Sequence, residues 1–443
     1  VGTGETRMIS PDHQAVAIVK RLRDEGYESY LAGGCVRDFL LDKTPQDYDI
    51  ATSARPEDVQ RIFPRTISVG AQFGVVLVVL DGQPFEVASF RFDGPYLDGR
   101  RPSQVRYGSL QEDILRRDFT INGMVYDPIE NRVIDLVEGK RDLARRRIRA
   151  IGDPRQRFDE DRLRMVRAIR FAASLNFDID SSTLDAIKQS AEGITRISSE
   201  RIGEEITRIL MEGGARRGVE LLDQTGLLQI LLPEIEQMKG VEQSPEHHPE
   251  GDVFKHTLLT LSHLEAPTET LAYGCLLHDV GKPVCFRKEA DRITFYGHTD
   301  RGAEMAEATL KRLKRGRAAW ERVAYLVKNH LRHTQAPKMR LSTLKRFLRE
   351  EGIDELLELA RIDALSSSGD LQYYQFCQER LSEMQEEEIR PEPLLRGKDL
   401  IEMGYTPGPI FAEILQQVEE AQLGGELTSR QAAIDWVKQK YHG

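Results

Sequence analysis

Asp47 and Asp49 stand two residues apart in DYD, shortly after a glycine pair, within LAGGCVRDFLLDKTPQDYDI (Leu31 to Ile50). In an extended strand, residues i and i+2 point to the same face, so both carboxylates are expected at one point in space, a geometry that suits paired Mg²⁺ ions. Gly33 and Gly34 lack a Cβ, which lets backbone amides approach a phosphate chain closely. Phosphates and metals together imply phosphoryl or nucleotidyl transfer. A second constellation lies further on. Eight of the ten histidines fall between His247 and His333, in the order His256, His278 with Asp279, His298 and His330, followed by Asp363. Imidazole and carboxylate ligands suit borderline and hard divalent metals. On a helix, the adjacent His278 and Asp279 diverge by about 100°, so they serve one metal only from a tightly packed helical cradle.

The elements that position these groups are readable from periodicity. PDHQAVAIVKRLRDEGY, from Pro11, carries apolar residues at helical spacing and stops at Gly26. Tyr27 to Ala32 reads as a strand feeding the glycines. VVLVVLDGQPFEVASF reads as a hairpin turning at Asp81 and Gly82. A small mixed sheet with a helix is therefore expected to about residue 150. From Pro154 the segments EDRLRMVRAIRFAASL, SSTLDAIKQSAEGI, SERIGEEITRILM and ARRGVELLDQTGLLQILL repeat apolar residues at 3.6 spacing, which predicts an all-helical region to about 236. The tail from about 371 is again helical, with a Pro-Gly-Pro interruption.

At 443 residues the chain is too long for one ordinary core, and length alone suggests about three domains. No apolar run reaches the roughly 18 residues of a membrane span, and the N-terminus lacks a signal-type apolar region. A soluble, cytoplasmic protein without a membrane partner is expected. Cys35, Cys275, Cys285 and Cys377 form no CxxC pair, which argues against a disulfide framework or thiolate zinc site. Net charge is −10, yet Lys140 to Arg170 holds twelve basic against five acidic residues, and Lys311 to Arg349 thirteen against one. Such blocks in an acidic chain have the form of a phosphate-backbone footprint.

GGCVRD followed by DYD resembles the first motif of the nucleotidyltransferase superfamily, in the branch of bacterial tRNA CCA-adding enzymes and poly(A) polymerases (class II tRNA nucleotidyltransferases). Further motifs follow in order. PFEVASFR (Pro84 to Arg91) resembles the strand with the third catalytic carboxylate, RRDFTIN (Arg116 to Asn122) the ribose-recognising motif, Asp135 to Leu143 the hinge between head and neck, and EDRLR (Glu160 to Arg164) the nucleotide-selecting motif. LLHDVGKP and the ordered histidines resemble an HD phosphohydrolase domain, and RGKDLIEMGYTPGPIFAEILQQVEEAQLGGEL resembles the C-terminal segment of HD-bearing members.

The resemblance implies a multidomain α+β protein: a small mixed-sheet nucleotidyltransferase head (1–150), a helical neck (151–236), an HD domain (237–370) and a helical tail (371–443). It implies CTP and ATP as substrates, the tRNA 3′ end as partner, and two-metal chemistry with Asp47, Asp49 and Glu86 holding Mg²⁺. Gly33, Gly34 and Arg37 would clamp the triphosphate; Arg117, Asp118 and Asn122 would recognise ribose and phosphate. Asp161 and Arg164, three apart and so on one helix face, would read base edges, with Glu160 orienting Arg164. Asp93 to Arg106, with Arg100 and Arg101, matches the flexible loop associated with terminal adenosine addition. In the HD domain, His256, His278, Asp279 and Asp363 would form the main site for a divalent metal of open identity, and His298 and His330 a second one. His247, His248, His263 and His333 fit no position in that pattern and are expected at the surface or behind the ligands. Two alternatives share the fold, an A-adding enzyme and a poly(A) polymerase. A third is a protein acting chiefly as an HD phosphohydrolase. The sequence sets no oligomeric state.

Overall fold

The computed structural model describes residues 12–70, 74–93, 105–244, 248–249, 251–289, 292–384 and 391–441. The chain divides into two compact units, 1–236 and 237–443.

In the first unit, Asp12 caps helix α1 (His13–Asp24) by accepting from the amides of Gln14 and Ala15, and the apolar stripe Ala15, Ile18, Val19 and Leu22 is buried. The helix gives way at Gly26, whose φ is 89°. Strand β1 (Ser29–Ala32) follows and leads through Gly33 into α2 (Gly34–Leu40). The remaining elements are β2 (Asp49–Thr52), α3 (Pro56–Ile62), β3 (Thr66–Gly70), β4 (Val75–Leu80), β5 (Gln83–Ser89), the ribbon β6 (Arg91–Asp93) with β7 (Val105–Tyr107), α4 (Leu110–Leu115), β8 (Met124–Asp127), β9 (Arg132–Asp135) and α5 (Gly139–Ala144). Seven strands form one sheet in the order β3-β4-β5-β2-β1-β8-β9. Only the β2–β5 pair is parallel, so the sheet is mixed as expected. The β4–β5 hairpin turns at Asp81 and Gly82, both at positive φ, which is the demand of a two-residue primed turn. Asp135 ties together the turn after β9: its carboxylate accepts from the amides of Val137, Gly139 and Lys140.

Asp153 caps α6 (Pro154–Glu160), with Pro154 at the first position where a missing N–H costs nothing. Then come α7 (Leu163–Leu175), α8 (Ser181–Ser190), α9 (Ser199–Met211) and α10 (Ala215–Gln224). Helix α7 is buried along almost its whole length and packs on α9 and α10.

The second unit is mainly helical. Its helix Glu269–Leu277 is buried from Leu271 to Leu277, as befits a helix apolar on all sides. The neighbouring helices Val253–Ser262, Arg317–Asn329 and Ile353–Ser366 pack against it. At the C-terminus, the helices Gly397–Glu402, Pro409–Leu423 and Arg430–Tyr441 enclose a core of Leu400, Ile414, Val418 and Val437. No helix among the described residues is long and apolar enough to cross a membrane.

The two basic blocks are less bare than their sequence suggests. Arg322 pairs with Glu355 at 2.7 Å, Arg332 with Glu350 at 2.8 Å, Arg346 with Glu420 at 2.9 Å and Arg349 with Glu419 at 2.5 Å. In the first block, Arg149 pairs with Asp142, Arg167 with Asp118 and Arg170 with Glu205. Folding brings carboxylates, most of them from outside the blocks, against both, so much of their charge is neutralised internally.

Candidate active site and candidate metal centre

Strands β1, β2 and β5 end on a cavity of about 680 Å³. Register places Ala32 opposite Asp49 and Asp49 opposite Glu86, so the two carboxylates sit side by side across parallel strands. Asp47 departs from expectation. Strand β2 begins at Asp49, so the two aspartates do not share a strand, and the loop before β2 brings Asp47 to the same cavity. Water reaches Asp49, but protein surrounds its carboxylate. Burial first, then Glu86 and Asp47, push its pKa up to about 6 against the opposing pull of Arg117. A group of acids this reluctant to share charge, with oxygen donors only, fits a hard divalent cation.

Gly33 has φ 74° and ψ −129°. A Cβ there would lie 3.3 Å from Arg117 Nη1 and 3.7 Å from Asp49 Oδ2. The glycine leaves room for guanidinium and carboxylate together. Arg37, Arg117, Asp118 and Asn122 line the same cavity and are laced together. Arg37 donates to Asn122 Oδ1 at 2.9 Å and pairs with Asp38 at 2.8 Å, while Asn122 donates to Asp118 Oδ1 at 3.3 Å. Arg117 is anchored by Asp113 at 3.0 Å. Asp118 Oδ2 accepts from Arg167 Nε and Nη2 at 3.0 and 2.7 Å; burial opposes the charge, but Arg167 holds the carboxyl below its usual range.

Asp161 and Arg164 both face the cavity, although not from one helix face. Helix α6 stops at Glu160, Asp161 is extended at φ −144° and ψ 104°, and α7 starts at Leu163. Each residue therefore has its own partners. Arg164 Nη1 donates to Glu160 Oε2 at 2.7 Å and to the Arg157 carbonyl at 3.1 Å, and Nη2 donates to the Arg116 carbonyl at 2.9 Å. Asp161 accepts from Arg201 Nη2 at 2.7 Å and Nη1 at 3.3 Å, and from the Leu163 amide at 3.1 Å. The Glu160–Arg164 contact matches expectation. Arg201 and Arg167 went unnoticed in the sequence, where each is one arginine among many on an amphipathic helix. Arg100 and Arg101 lie outside the described residues; the backbones of Asp93 and Val105 pair on either side of that loop.

In the second unit, His256, His278 and Asp279 offer ligand atoms to one point, and Asp279, His298 and His330 to another. Asp279 is common to both groups. Its Oδ2 lies 3.3 Å from His278 Nε2, and its Oδ1 lies 3.7 and 3.8 Å from His298 and His330 Nε2. Asp363 Oδ1 is 3.0 Å from His256 Nε2 and 3.8 Å from His278 Nε2. The helix ends at Leu277, so His278 and Asp279 occupy the turn after it. That turn, and not a helical cradle, directs both side chains to one side. Three histidines are oriented by carbonyls three residues back: Cys275 for His278, Phe295 for His298 and Val327 for His330. Such Nδ1 contacts leave Nε2 for a metal. Burial pushes His330 down to about 4, His298 also moves down, and Lys282, followed by His278, holds Asp279 well below the carboxylate range. All favour the neutral-imidazole, ionised-carboxylate forms that bind cations. Lys282, 2.6 Å from Asp279, was not singled out in the sequence, although LLHDVGKP contains it. Of the histidines set aside, His333 is buried behind His330, and the His248 ring lies 4.9 Å from that of His256. His247 lies outside the described residues.

Three comparisons bear on these geometries. Residues 29–149 match the family model for the poly A polymerase head domain, 176–239 that for the probable RNA and SrmB-binding site of polymerase A, and 253–367 that for the HD domain. The CCA-adding enzyme of Enterococcus faecalis is 32% identical over 432 residues, 95% of this chain and 94% of that protein. That of a Geobacillus species is 44% identical over 225 residues, 51% of this chain and 55% of that one. The crystal structure of the Bacillus stearothermophilus CCA-adding enzyme in complex with CTP superposes with a TM-score of 0.75 at 28% identity, covering 98% of each chain. Near end-to-end similarity in sequence and fold shows that the chain belongs to the CCA-adding enzyme family.

Proposed function

We propose that the protein builds or repairs the 3′-terminal CCA of tRNA from CTP and ATP. The observation that carries this reading is one cavity walled by Asp47, Asp49 and Glu86 on the strand side and by Asp161 and Arg164 on the helical side. The RNA 3′-hydroxyl attacks the α-phosphorus, the bond between that phosphorus and the bridging oxygen breaks, pyrophosphate leaves and the hydroxyl proton passes to solvent. Asp47, Asp49 and Glu86 would hold Mg²⁺, and the bound cation would supply activation of the hydroxyl and charge neutralisation at the departing oxygens. Gly33, Gly34 and Arg37 line the triphosphate's path, and Arg117, Asp118 and Asn122 bind ribose and phosphate. Arg164 offers a planar donor fork and Asp161 acceptors, so the pair substitutes for a template strand. We place the head at 1–150 and the neck at 151–236, with the HD domain and tail dividing near 370, and the protein in the cytoplasm with its tRNA. Incubation with tRNA lacking CCA, or lacking only A, with CTP and ATP supplied separately, tests this. Incorporation of CMP twice and AMP once is expected. AMP alone would make it an A-adding enzyme, and long AMP runs a poly(A) polymerase.

The two ligand groups sharing Asp279 favour a second, separable activity, hydrolysis of 2′,3′-cyclic or terminal phosphates on RNA ends. His256, His278, Asp279 and Asp363 would hold a divalent metal, with His298 and His330 for a second. A metal there would lower the pKa of a water; the water oxygen adds to phosphorus, the bond to a ribose oxygen breaks, and that oxygen takes the proton. Assay of the purified protein with Mg²⁺, Mn²⁺, Ni²⁺ or Co²⁺ decides this, and no hydrolysis with any of them would refute it.

A further inference from the structure

Beside the histidine–aspartate cluster, between Lys282 and His298, lies a two-stranded antiparallel ribbon, Arg287–Glu289 against Arg292–Thr294. Phe286 and Phe295 flank its open end with ring centroids 5.9 Å apart. Phe295 is tied to the cluster three ways. Its carbonyl holds His298 Nδ1 at 2.8 Å, its ring centroid is 6.4 Å from that imidazole, and the Lys282 ammonium lies 5.3 Å from its centroid while contacting Asp279. The next residue, Tyr296, is 69% exposed, and Phe286 is 36% exposed. Phe286 and Phe295 thus lie beside the cluster, and Tyr296, next in the chain, is open to solvent. Exposed aromatic faces next to a phosphate-handling centre suit a nucleobase, which stacks on any such ring regardless of its identity.

We propose that Phe286, Phe295 and Tyr296 form a base-stacking subsite, which takes the terminal nucleobase of an RNA end while its phosphate lies at the cluster. The ligand class is a nucleoside 2′- or 3′-phosphoester. The inference rests on the phosphohydrolase reading for the phosphate's position. It adds that the centre discriminates nucleoside esters from simple alkyl phosphates.

The test uses the full chain carrying Arg164→Ala, so that uptake by the head is weakened, loaded with Mn²⁺. Calorimetric dissociation constants are measured for adenosine 3′-monophosphate and for glycerol 2-phosphate. Tyr296→Ala and Phe286→Leu should weaken the nucleotide about tenfold and leave glycerol phosphate unchanged; Tyr296, being exposed, can be replaced without unfolding the chain. Equal weakening of both ligands, or of neither, overturns the subsite. So does a Tyr296→Ala effect confined to sedimentation, which would mark a self-association face. Hydrolysis of the same two esters is followed in parallel. If neither is cleaved while the affinity difference persists, the phosphohydrolase reading fails and the subsite stands.

Discussion

Arg201 offers a stringent test of the proposed base selection by side chains, because it touches Asp161, one member of the proposed selecting pair, from outside. Its two terminal nitrogens lie 2.7 and 3.3 Å from the two oxygens of Asp161, and both side chains are about one-fifth exposed. A carboxylate oxygen has two lone pairs, so Asp161 retains acceptors for a base amino group while Arg201 fixes the plane in which they point. A charge-assisted pair is worth about 1.5–3 kcal/mol when well covered. Partial exposure reduces that to about 1–2 kcal/mol, or about five- to thirty-fold in kcat/KM. Arg201→Ala should therefore lower kcat/KM for CTP and ATP by that factor while raising misincorporation of UMP and GMP. The KM for tRNA should barely move, and the thermal midpoint should fall by only a few degrees. Arg201→Lys, with charge but no planar fork, should recover part of the loss. The assay is single-nucleotide addition to tRNA lacking CCA with each triphosphate alone. Combination with Asp161→Ala is decisive: if Arg201 acts through Asp161, the double variant equals Asp161→Ala alone, and additive effects would refute the reasoning.

Asp49→Ala should abolish addition and leave tRNA affinity nearly unchanged; addition within tenfold of wild type would refute the metal assignment. Because Asp49 is raised to about 6 without metal, Mg²⁺ must displace a proton below that pH, so the Mg²⁺ needed for half-maximal addition should rise up to tenfold per pH unit as pH falls below 6, as read from Mg²⁺ titrations at several pH values. Gly33→Ala forces a side chain into a backbone region rarely open to it and into the Arg117–Asp49 gap, costing about 1–3 kcal/mol; urea unfolding and nucleotide KM should both register it. In chelator-treated protein, His330 takes its proton at about 4 when folded and near 6.5 when unfolded. The unfolded state therefore binds more protons between those values, and stability present above pH 6.5 is lost as pH falls to 4, by at most about 3 kcal/mol. His330→Gln should flatten the urea midpoint over that window. Asp279→Ala should eliminate phosphoester hydrolysis and spare CCA addition.

How much of this was legible in the sequence depended on whether the determining interaction was local. The β4–β5 hairpin was, because Asp81–Gly82 fixes the turn and the flanking alternation fixes the strands. So was the Glu160–Arg164 contact, four residues apart. The partners of Asp161 were not, since a two-residue break between α6 and α7 lets it meet Arg201 of α9, and no period in the sequence announces that contact. The partners of the basic blocks were hidden for the same reason: counting along the chain cannot see Glu355 beside Arg322 or Glu420 beside Arg346. Gly281 is instructive. In the sequence it is one letter of LLHDVGKP with no signal of its own, yet a Cβ there would lie 2.2 Å from the carbonyl oxygen of His298. Its true constraint is the close approach that carries His298 up to Asp279, a contact across seventeen positions that only the fold reveals.

The arginines around the cavity pose a question that local pairing answers. A triphosphate is recognised best by guanidinium groups, yet Arg37, Arg117, Arg164 and Arg167 are already engaged with Asp38 and Asn122, Asp113, Glu160, and Asp118. Such partners lower the charge each arginine can offer, so raw affinity is not what the arrangement favours. What it fixes is direction. Arg164 is held by a carboxylate and two backbone carbonyls at 2.7–3.1 Å, so it loses little rotamer freedom when a base arrives and cannot swing to accommodate a wrong one. Selection without a template requires that rigidity: a mobile arginine would satisfy the carbonyl oxygens of uracil or guanine as readily as the acceptors of cytosine or adenine. Interactions set before the substrate binds act on the transition state without a reorganisation cost, and under the proposed base selection the same interactions would decide which base this wall of the cavity accepts.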